Sequence, residues 1–285
     1  MMRRTLEMTE NTFRLLQEFI YENTGIRLGP DQIASIERRL TPVCEALALD
    51  SLDDLYTHAR YHPRGRQTLE AMIEALTTHE TYFNREHSQF ELVTREILAQ
   101  GQLNPRTRIR VLSAGCSSGE ELVSLMIWLE ETGLSENYRY DFVGVDISHD
   151  IIQKARSGLY RESAFRSAPA HWMRSYFEPE NGMWRVAERF RQRVQYVQLN
   201  LLDSFRFRVL GEFDIIFCRN VMIYFDRGSK TQLVNILHRR LSTGGFLLLG
   251  HAENLIQIDS PFLVRHFQRD MIYQKIQQDP GETLA

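Results

Sequence analysis

The chain has 285 residues, of which 43% are apolar and 25% charged, and its formal net charge is −3. This balance excludes wholesale disorder, a collagen-like fibre and a multi-span membrane protein, and the length accommodates two domains. The near-neutral charge weighs against extensive contact with nucleic acid. At the amino terminus, MMRRTLEMTENTF has no apolar signal-peptide core. Residues 1–90 then read as helices and carry ten basic and fourteen acidic residues. Phe13, Leu16, Ile20 and Tyr21 recur at helical spacing after Asn11 or Thr12 as a cap, and Gly25 ends that helix. A second helix starts near Asp31 with Ile33, Ile36, Leu40 and Leu47 on one face, and Pro42 is expected to kink or split it. A third starts at the capping pattern of Ser51 and ends before Pro63, and a fourth holds Leu69, Met72, Ile73 and Leu76.

From about residue 108 short apolar runs alternate with helical stretches. The expected strands are Ile109–Ala114, Phe142–Val145, Val194–Leu199, Phe213–Phe217 and Phe246–Leu249, with helices at about 119–131, 149–157 and 229–241. Buried apolar strands joined by helices predict an α/β fold with a parallel, doubly wound sheet. Phe262–Phe267 and Met271–Lys275, either side of Gln268-Arg269-Asp270, predict a closing hairpin that adds antiparallel strands at one edge. Residues 156–193 interrupt the alternation with eight arginines and four carboxylates. They read either as an inserted β-subdomain or as a solvated loop. Cys44, Cys116 and Cys218 are isolated and suggest a reducing compartment. No apolar run approaches the ~18–20 residues of a bilayer span. A cytoplasmic monomer without stable membrane insertion is expected. His58 and His62 lack a third ligand, so no metal site is expected.

The first parallel strand runs into Gly115-Cys116-Ser117-Ser118-Gly119-Glu120-Glu121. In open α/β folds this is a nucleotide-type site, but the pattern is neither G-x-G-x-x-G nor a P-loop. Two glutamates in the first helical turn oppose a pyrophosphate, since one like-charge contact at ~4 Å costs on the order of 4 kcal/mol at an effective dielectric of 20. They suit a cationic sulfonium with an amino group, as in S-adenosylmethionine (SAM), although acidic residues also stabilise helix starts on their own and the two cannot both point the same way. Asp146, ending the second strand, is placed to bind ribose hydroxyls or to cap the next helix. Asn200 and Asp203 follow the third strand, where an adenine edge lies or where turn chemistry operates. After the fourth strand, Arg219 and Tyr224 stand where amino-group methyltransferases often carry Asn/Asp-Pro-Pro-Tyr, and they suit an anionic acceptor. His251 either lines the pocket or caps the fifth strand.

Several segments together resemble the CheR-type chemoreceptor methyltransferases, which esterify receptor glutamates. These are Ala75–Thr78 with Thr81–Glu86, Ala114–Glu121, Asp146-Ile147, Lys154–Tyr160, Asn200–Leu202, Phe213–Phe225 and Gly250–Asn254. The run Cys-Arg-Asn-Val-Met-Ile-Tyr-Phe at 218–225 is the most specific. The resemblance implies a helical domain at 1–92 and a Rossmann-like class I SAM-dependent methyltransferase domain at 93–285, with a small inserted β-subdomain at 159–193. It implies SAM contacts, with S-adenosylhomocysteine as product, at His79, Thr81, Arg85, Gly115, Glu121, Asp146, Asn200, Leu201, Arg219 and Asn220. Arg85 and Tyr224 match the family's active-site arginine and tyrosine. The partner it implies is the cytoplasmic domain of chemotaxis-type receptors, whose acidic tail the basic insertion would suit. The chain departs from the family pattern at His79, commonly Asn, at Asn84, usually aromatic, and at Leu122-Val123, usually Pro-Tyr. These departures predict altered cofactor affinity and motivate an alternative, a SAM-binding regulatory or adaptor protein without methyl transfer.

Overall fold

The computed structural model describes residues 5–103, 108–267 and 270–277. Its first third packs helices α1 (Glu10–Thr24), α2 (Ile33–Leu47), α3 (Leu52–Tyr61) and α4 (Gly65–Leu76) around a core that includes Leu16, Ile20, Leu40, Leu55 and Met72. The cap of α1 is Thr9, not Asn11 or Thr12: its hydroxyl accepts from the Thr12 amide at 3.1 Å, while the Thr12 hydroxyl is buried against the Asp53 carboxylate at 2.9 Å. Gly25, at φ 74, ends α1, and the Ser51 hydroxyl accepts from the Asp54 amide to start α3. Pro42 lies inside α2 without ending it, and the helix continues for five more residues to Leu47. Tyr21 and Leu47 point outward rather than into the core. Beyond α4 come a short helix, α5 (His87–Glu91), and a π-helical turn at Leu92–Leu98, neither of which the sequence pattern announced.

The remainder alternates strands and helices: β1 (Arg108–Ala114), α6 (Glu120–Glu131), β2 (Arg139–Asp146) and α7 (His149–Ser157). An insertion follows, with β3 (Leu159–Tyr160), α8 (Trp172–Tyr176), β4 (Phe177–Glu180), β5 (Met183–Val186) and α9 (Glu188–Arg191). Its three strands form a separate antiparallel sheet in the order β3-β5-β4, so the segment is a β-subdomain rather than a solvated loop. The alternation resumes with β6 (Val194–Gln198), α10 (Ser204–Val209), β7 (Phe213–Cys218), α11 (Arg227–Arg240), β8 (Leu241–Leu249), β9 (Leu263–Phe267) and β10 (Asp270–Gln274).

The main sheet has seven strands in the order β6-β2-β1-β7-β8-β10-β9. The first five are parallel, and the hairpin adds β10 antiparallel to β8 with β9 outermost. The residues between its strands, Gln268-Arg269, lie outside the described residues. β8 starts at Leu241, earlier than the expected Phe246: Phe213 pairs with Leu241 and Ile215 with Phe246, so a bulge containing Gly244-Gly245 is absorbed between them. Successive strand residues feed opposite faces. Val111, Phe217 and Leu248 belong to one apolar layer, and Leu112, Ile216 and Leu247 to the other. Both faces are therefore covered, which is why these strands read as continuous apolar runs rather than alternating ones.

Because β2 and β7 flank β1 on opposite sides, the chain leaves the sheet in opposite directions around the carboxyl end of β1. A crevice forms there. The N-terminal helices close over it at fixed points. The Glu74 carboxylate of α4 accepts from the Ser148 hydroxyl at 2.5 Å and the Asp150 amide at 3.0 Å, Asn200 donates to the Asn23 carbonyl at 2.9 Å, and Ile26 forms an isolated antiparallel bridge with Phe225.

Candidate active site

The crevice is open to solvent and encloses about 1080 Å³, its open mouth included. Its floor comes from four strand ends. Gly115 and Ser117 follow β1, Asp146 ends β2, Asn200 and Leu201 follow β6, and Arg219, Asn220 and Tyr224 follow β7. Its roof comes from the segment after α4, with His79, Thr81 and Arg85, and from Thr24 and Ile26 at the end of α1 and just beyond it. The structure thus brings His79, Thr81, Arg85, Gly115, Glu121, Asp146, Asn200, Leu201, Arg219, Asn220 and Tyr224 into one lining, and leaves Glu120, Asp203 and His251 outside it. The roof contribution of residues 24–26 was not legible, because it depends on how the helices dock.

At the floor the backbone is held close. Gly115 has φ 84, and a Cβ there would stand 2.3 Å from Val221 Cγ2, so a side chain is excluded twice over. Ser117 and Ser148 donate their amides to Asp146, at 3.0 Å to Oδ2 and 3.1 Å to Oδ1. Ser148 rather than Asp146 caps α7, its hydroxyl accepting from the Ile151 amide. Asp146 keeps one lone pair on each oxygen for a ligand. Burial pushes its carboxyl up, against those two amides. The Ser117 hydroxyl oxygen is buried at the floor and has no partner among the described residues.

The two glutamates at the start of α6 part company. Glu120 is buried away from the cavity and accepts from the Ser118 and Thr81 hydroxyls; burial pushes it up to about 7. Glu121 lines the cavity, accepting from the Ser113 hydroxyl at 2.6 Å and pairing with Arg219 Nη1 at 3.1 Å. Burial raises its carboxyl while Arg219 pulls it down. One of the two carboxylates faces the cavity and the other points away, as neighbours on a helix must, and the one that faces it is partly compensated.

Arg219 itself is almost wholly buried. It pairs with both Glu86 and Glu121 and donates to the Arg85 carbonyl at 2.5 Å. A guanidinium engaged by two carboxylates is not available to grip an anionic acceptor, contrary to the sequence reading. It instead ties the Arg85 loop to the floor. Asn200 is likewise engaged, its Oδ1 accepting from the Leu202 amide at 2.9 Å, which is turn chemistry, and its Nδ2 donating to α1. Arg85 is freer: Nη1 donates to the Glu80 carbonyl at 2.8 Å, leaving four donors, and the guanidinium lies 5.6 Å from the Tyr82 ring. Tyr224 is 36% exposed at the mouth. His79 lines the roof with Nε2 2.9 Å from the Thr77 hydroxyl.

The other departures do not touch the cavity. Leu122 and Val123 are buried in the core. Asn84 has φ 63 and is satisfied on all sides: Nδ2 donates to the Ser167 carbonyl, Oδ1 accepts from Trp128 Nε1, and its amide donates to Ser124 Oγ. None of the three lines the cavity. His251 lies outside the lining and pairs with Asp270 at 3.1 Å. His58 and His62 stack on each other at 4.0 Å, and His58 Nδ1 is bonded to Thr68. Burial pushes the Cys116 and Cys218 thiols up, so neither is a nucleophile. One residue escaped the sequence reading although it stands in the quoted 250–254 segment. Glu253 accepts from the backbone amides of Asn220, Met222 and Gly250.

An adenosine-bearing sulfonium fits this donor set. Carboxylates from Asp146 and Glu121, an orphaned buried hydroxyl at Ser117 and a side-chain-free turn at Gly115 suit hydroxyl, amino and cationic groups better than phosphates.

Comparison with known proteins agrees. Residues 79–270 match the family model described as CheR methyltransferase, SAM binding domain, and residues 11–77 match CheR methyltransferase, all-alpha domain. The chain is 33% identical over 271 residues to chemotaxis protein methyltransferase 2 of Vibrio cholerae, covering 94% of each. It is 35% identical to chemotaxis protein methyltransferase 2 of Pseudomonas aeruginosa, covering 87% of this chain and 88% of that one. It is 31% identical to the chemotaxis protein methyltransferase of Escherichia coli, covering 91% and 90%.

Proposed function

The chain belongs to the CheR methyltransferase family, and on that premise we propose that it transfers the methyl group of SAM to glutamate side-chain carboxylates of chemotaxis-type receptors in the cytoplasm, releasing S-adenosylhomocysteine. The observation that carries this reading is the pairing of Arg85 and Tyr224 in the lining of one cavity whose floor holds Asp146 and Glu121. The names of the relatives support the acceptor, and no helix among the described residues is long and apolar enough to cross a membrane. Of the departures that motivate a regulatory protein without methyl transfer, only His79 lines the cavity, while Asn84, Leu122 and Val123 lie outside it.

When bound, SAM supplies a methyl group on a positively charged sulfur, a strong electrophile. The acceptor needs no general base, because a glutamate with pKa ~4.3 is ionised at neutral pH. The protein's task is alignment and exclusion of water, with reacting atoms ~3–3.5 Å apart. Asp146 would accept from SAM's ribose hydroxyls and Glu121 from an amino group. The Tyr224 hydroxyl donates to one carboxylate oxygen and leaves the other free to attack. Arg85 orders cofactor and acceptor from the roof without clamping both oxygens, which would quench the nucleophile.

The test is to incubate the protein with methyl-labelled SAM and receptor-containing membranes. Label in the receptor that mild alkali releases as methanol is the expected result. Label that resists alkali, or no label in the receptor, overturns the reading.

A further inference from the structure

The segment between β7 and α11 carries Asn220 and Tyr224 into the cavity, yet it is not part of the sheet. Its only regular structure is a single 3₁₀ turn at Met222–Tyr224. A turn that short leaves its leading amides without backbone partners, and Asn220 adds a left-handed φ of 60. Something must hold it.

We infer that Glu253 is the positioning residue that holds the Asn220–Tyr224 segment, and through it the Tyr224 hydroxyl, in register for methyl transfer. Its Oε2 accepts from the Asn220 amide at 2.6 Å and from the Gly250 amide at 3.0 Å, and its Oε1 accepts from the Met222 amide at 2.7 Å. No ion pair to Glu253 occurs among the described residues, so backbone amides compensate a carboxylate that is largely removed from water. The clamp also accounts for Gly250, where a Cβ would stand 2.9 Å from Glu253 Oε2 and 2.9 Å from Asn220 Nδ2. The far end of the segment is pinned independently. The Arg27 amide donates to the Tyr224 carbonyl at 3.0 Å, and Ile26 bridges Phe225. Tyr224 thus lies between two anchors, of which Glu253 is the one built from a side chain.

All of Glu253's partners are donors. A glutamine there keeps the shape but turns one acceptor into an amino group facing amides. Space-filling and clamping therefore predict opposite outcomes. The role rests on the reading of Tyr224 above, and the following measurements separate the two.

Glu253→Gln, Glu253→Ala and Glu253→Asp are compared with the wild-type chain for turnover on receptor membranes, SAM affinity, melting temperature and amide hydrogen exchange. Glu253→Gln is expected to lower kcat at least tenfold, with a much smaller change in SAM affinity, and to speed exchange at residues 220–223 about tenfold. Glu253→Asp should recover part of the turnover. Combined with Tyr224→Phe, Glu253→Gln should fall no more than about twofold below the weaker single variant, because both remove the same hydroxyl from its place. Wild-type turnover in Glu253→Gln, or losses that multiply in the double variant, would overturn the inference. If Glu253→Gln does not fold, Glu253→Asp bears the same tests. If the wild-type chain methylates no receptor, the functional reading fails, and unchanged exchange at 220–223 in Glu253→Gln separately disproves the clamp.

Discussion

Glu120 and Glu121 are neighbours in sequence and opposites in environment. Glu121 faces the cavity and is paired with Arg219, whereas Glu120 is buried behind it and pushed up to about 7. A carboxylate with a folded pKa above its unfolded value of 4.5 keeps a proton in the folded state that the unfolded chain has released. Its contribution to stability is fully present below about pH 4.5 and is lost as pH rises through 7, by about 3 kcal/mol in all. Glu120→Gln removes that dependence. The wild-type melting temperature should fall more steeply than the variant's between pH 5 and 8, leaving the variant the more stable at pH 8; parallel curves would refute the assignment. Tyr224 is the complementary case, a side chain at the mouth whose value lies in one hydroxyl. Tyr224→Phe should lower turnover on receptor by tenfold or more while SAM affinity stays within about twofold; unchanged turnover excludes the hydroxyl from the reaction.

Among elements, those with local causes were legible. The Ser51 cap, the Gly25 terminator and the apolar runs of β1, β2 and β7 depend on neighbours in sequence, and they lie where the pattern put them. The segment from Thr81 to Leu98 was not legible, because tertiary contacts decide it. Asn84 and Glu86 both adopt positive φ, flanking Arg85. That strained turn is held from the insertion, where Ala164 accepts the Phe83 amide and Ser167 accepts from Asn84, and Phe83 packs against Phe165 and Phe177. The cap of α7 is divided similarly: its hydroxyl is local, at Ser148, but its carboxylate, Glu74, comes from α4. Glu74→Ala should therefore lower the unfolding free energy by about 1–2 kcal/mol and loosen the roof enough to weaken SAM binding; an unchanged denaturation midpoint would show that this interdomain cap contributes nothing.

Over the whole molecule, charge and position part ways. The insertion's surplus of cations, plain in the sequence, is spent in part on carboxylates outside it, Glu80 and Glu130, while two further arginines pair within it. Arg166 pairs with Glu80 and lies over Tyr82, Arg189 pairs with Glu130, and Arg185 and Arg191 pair with Glu180 and Glu188. The cavity shows the converse. Its residues come from four strand ends and two helical connections, and the motif order alone placed the floor residues, because a doubly wound sheet puts every strand-to-helix turn at one edge. What the order could not reveal was which side chains are committed to one another, as Arg219 is to Glu86 and Glu121. That commitment leaves Asp146 and Glu121 as the carboxylates at the floor, and the account depends on their preferring a sulfonium to a diphosphate. Calorimetric titration of the purified chain with SAM, S-adenosylhomocysteine and NAD decides it. One-to-one binding of the first two and no heat with NAD is the predicted outcome, whereas NAD binding, or the absence of binding by both adenosyl thioether compounds, would contradict it.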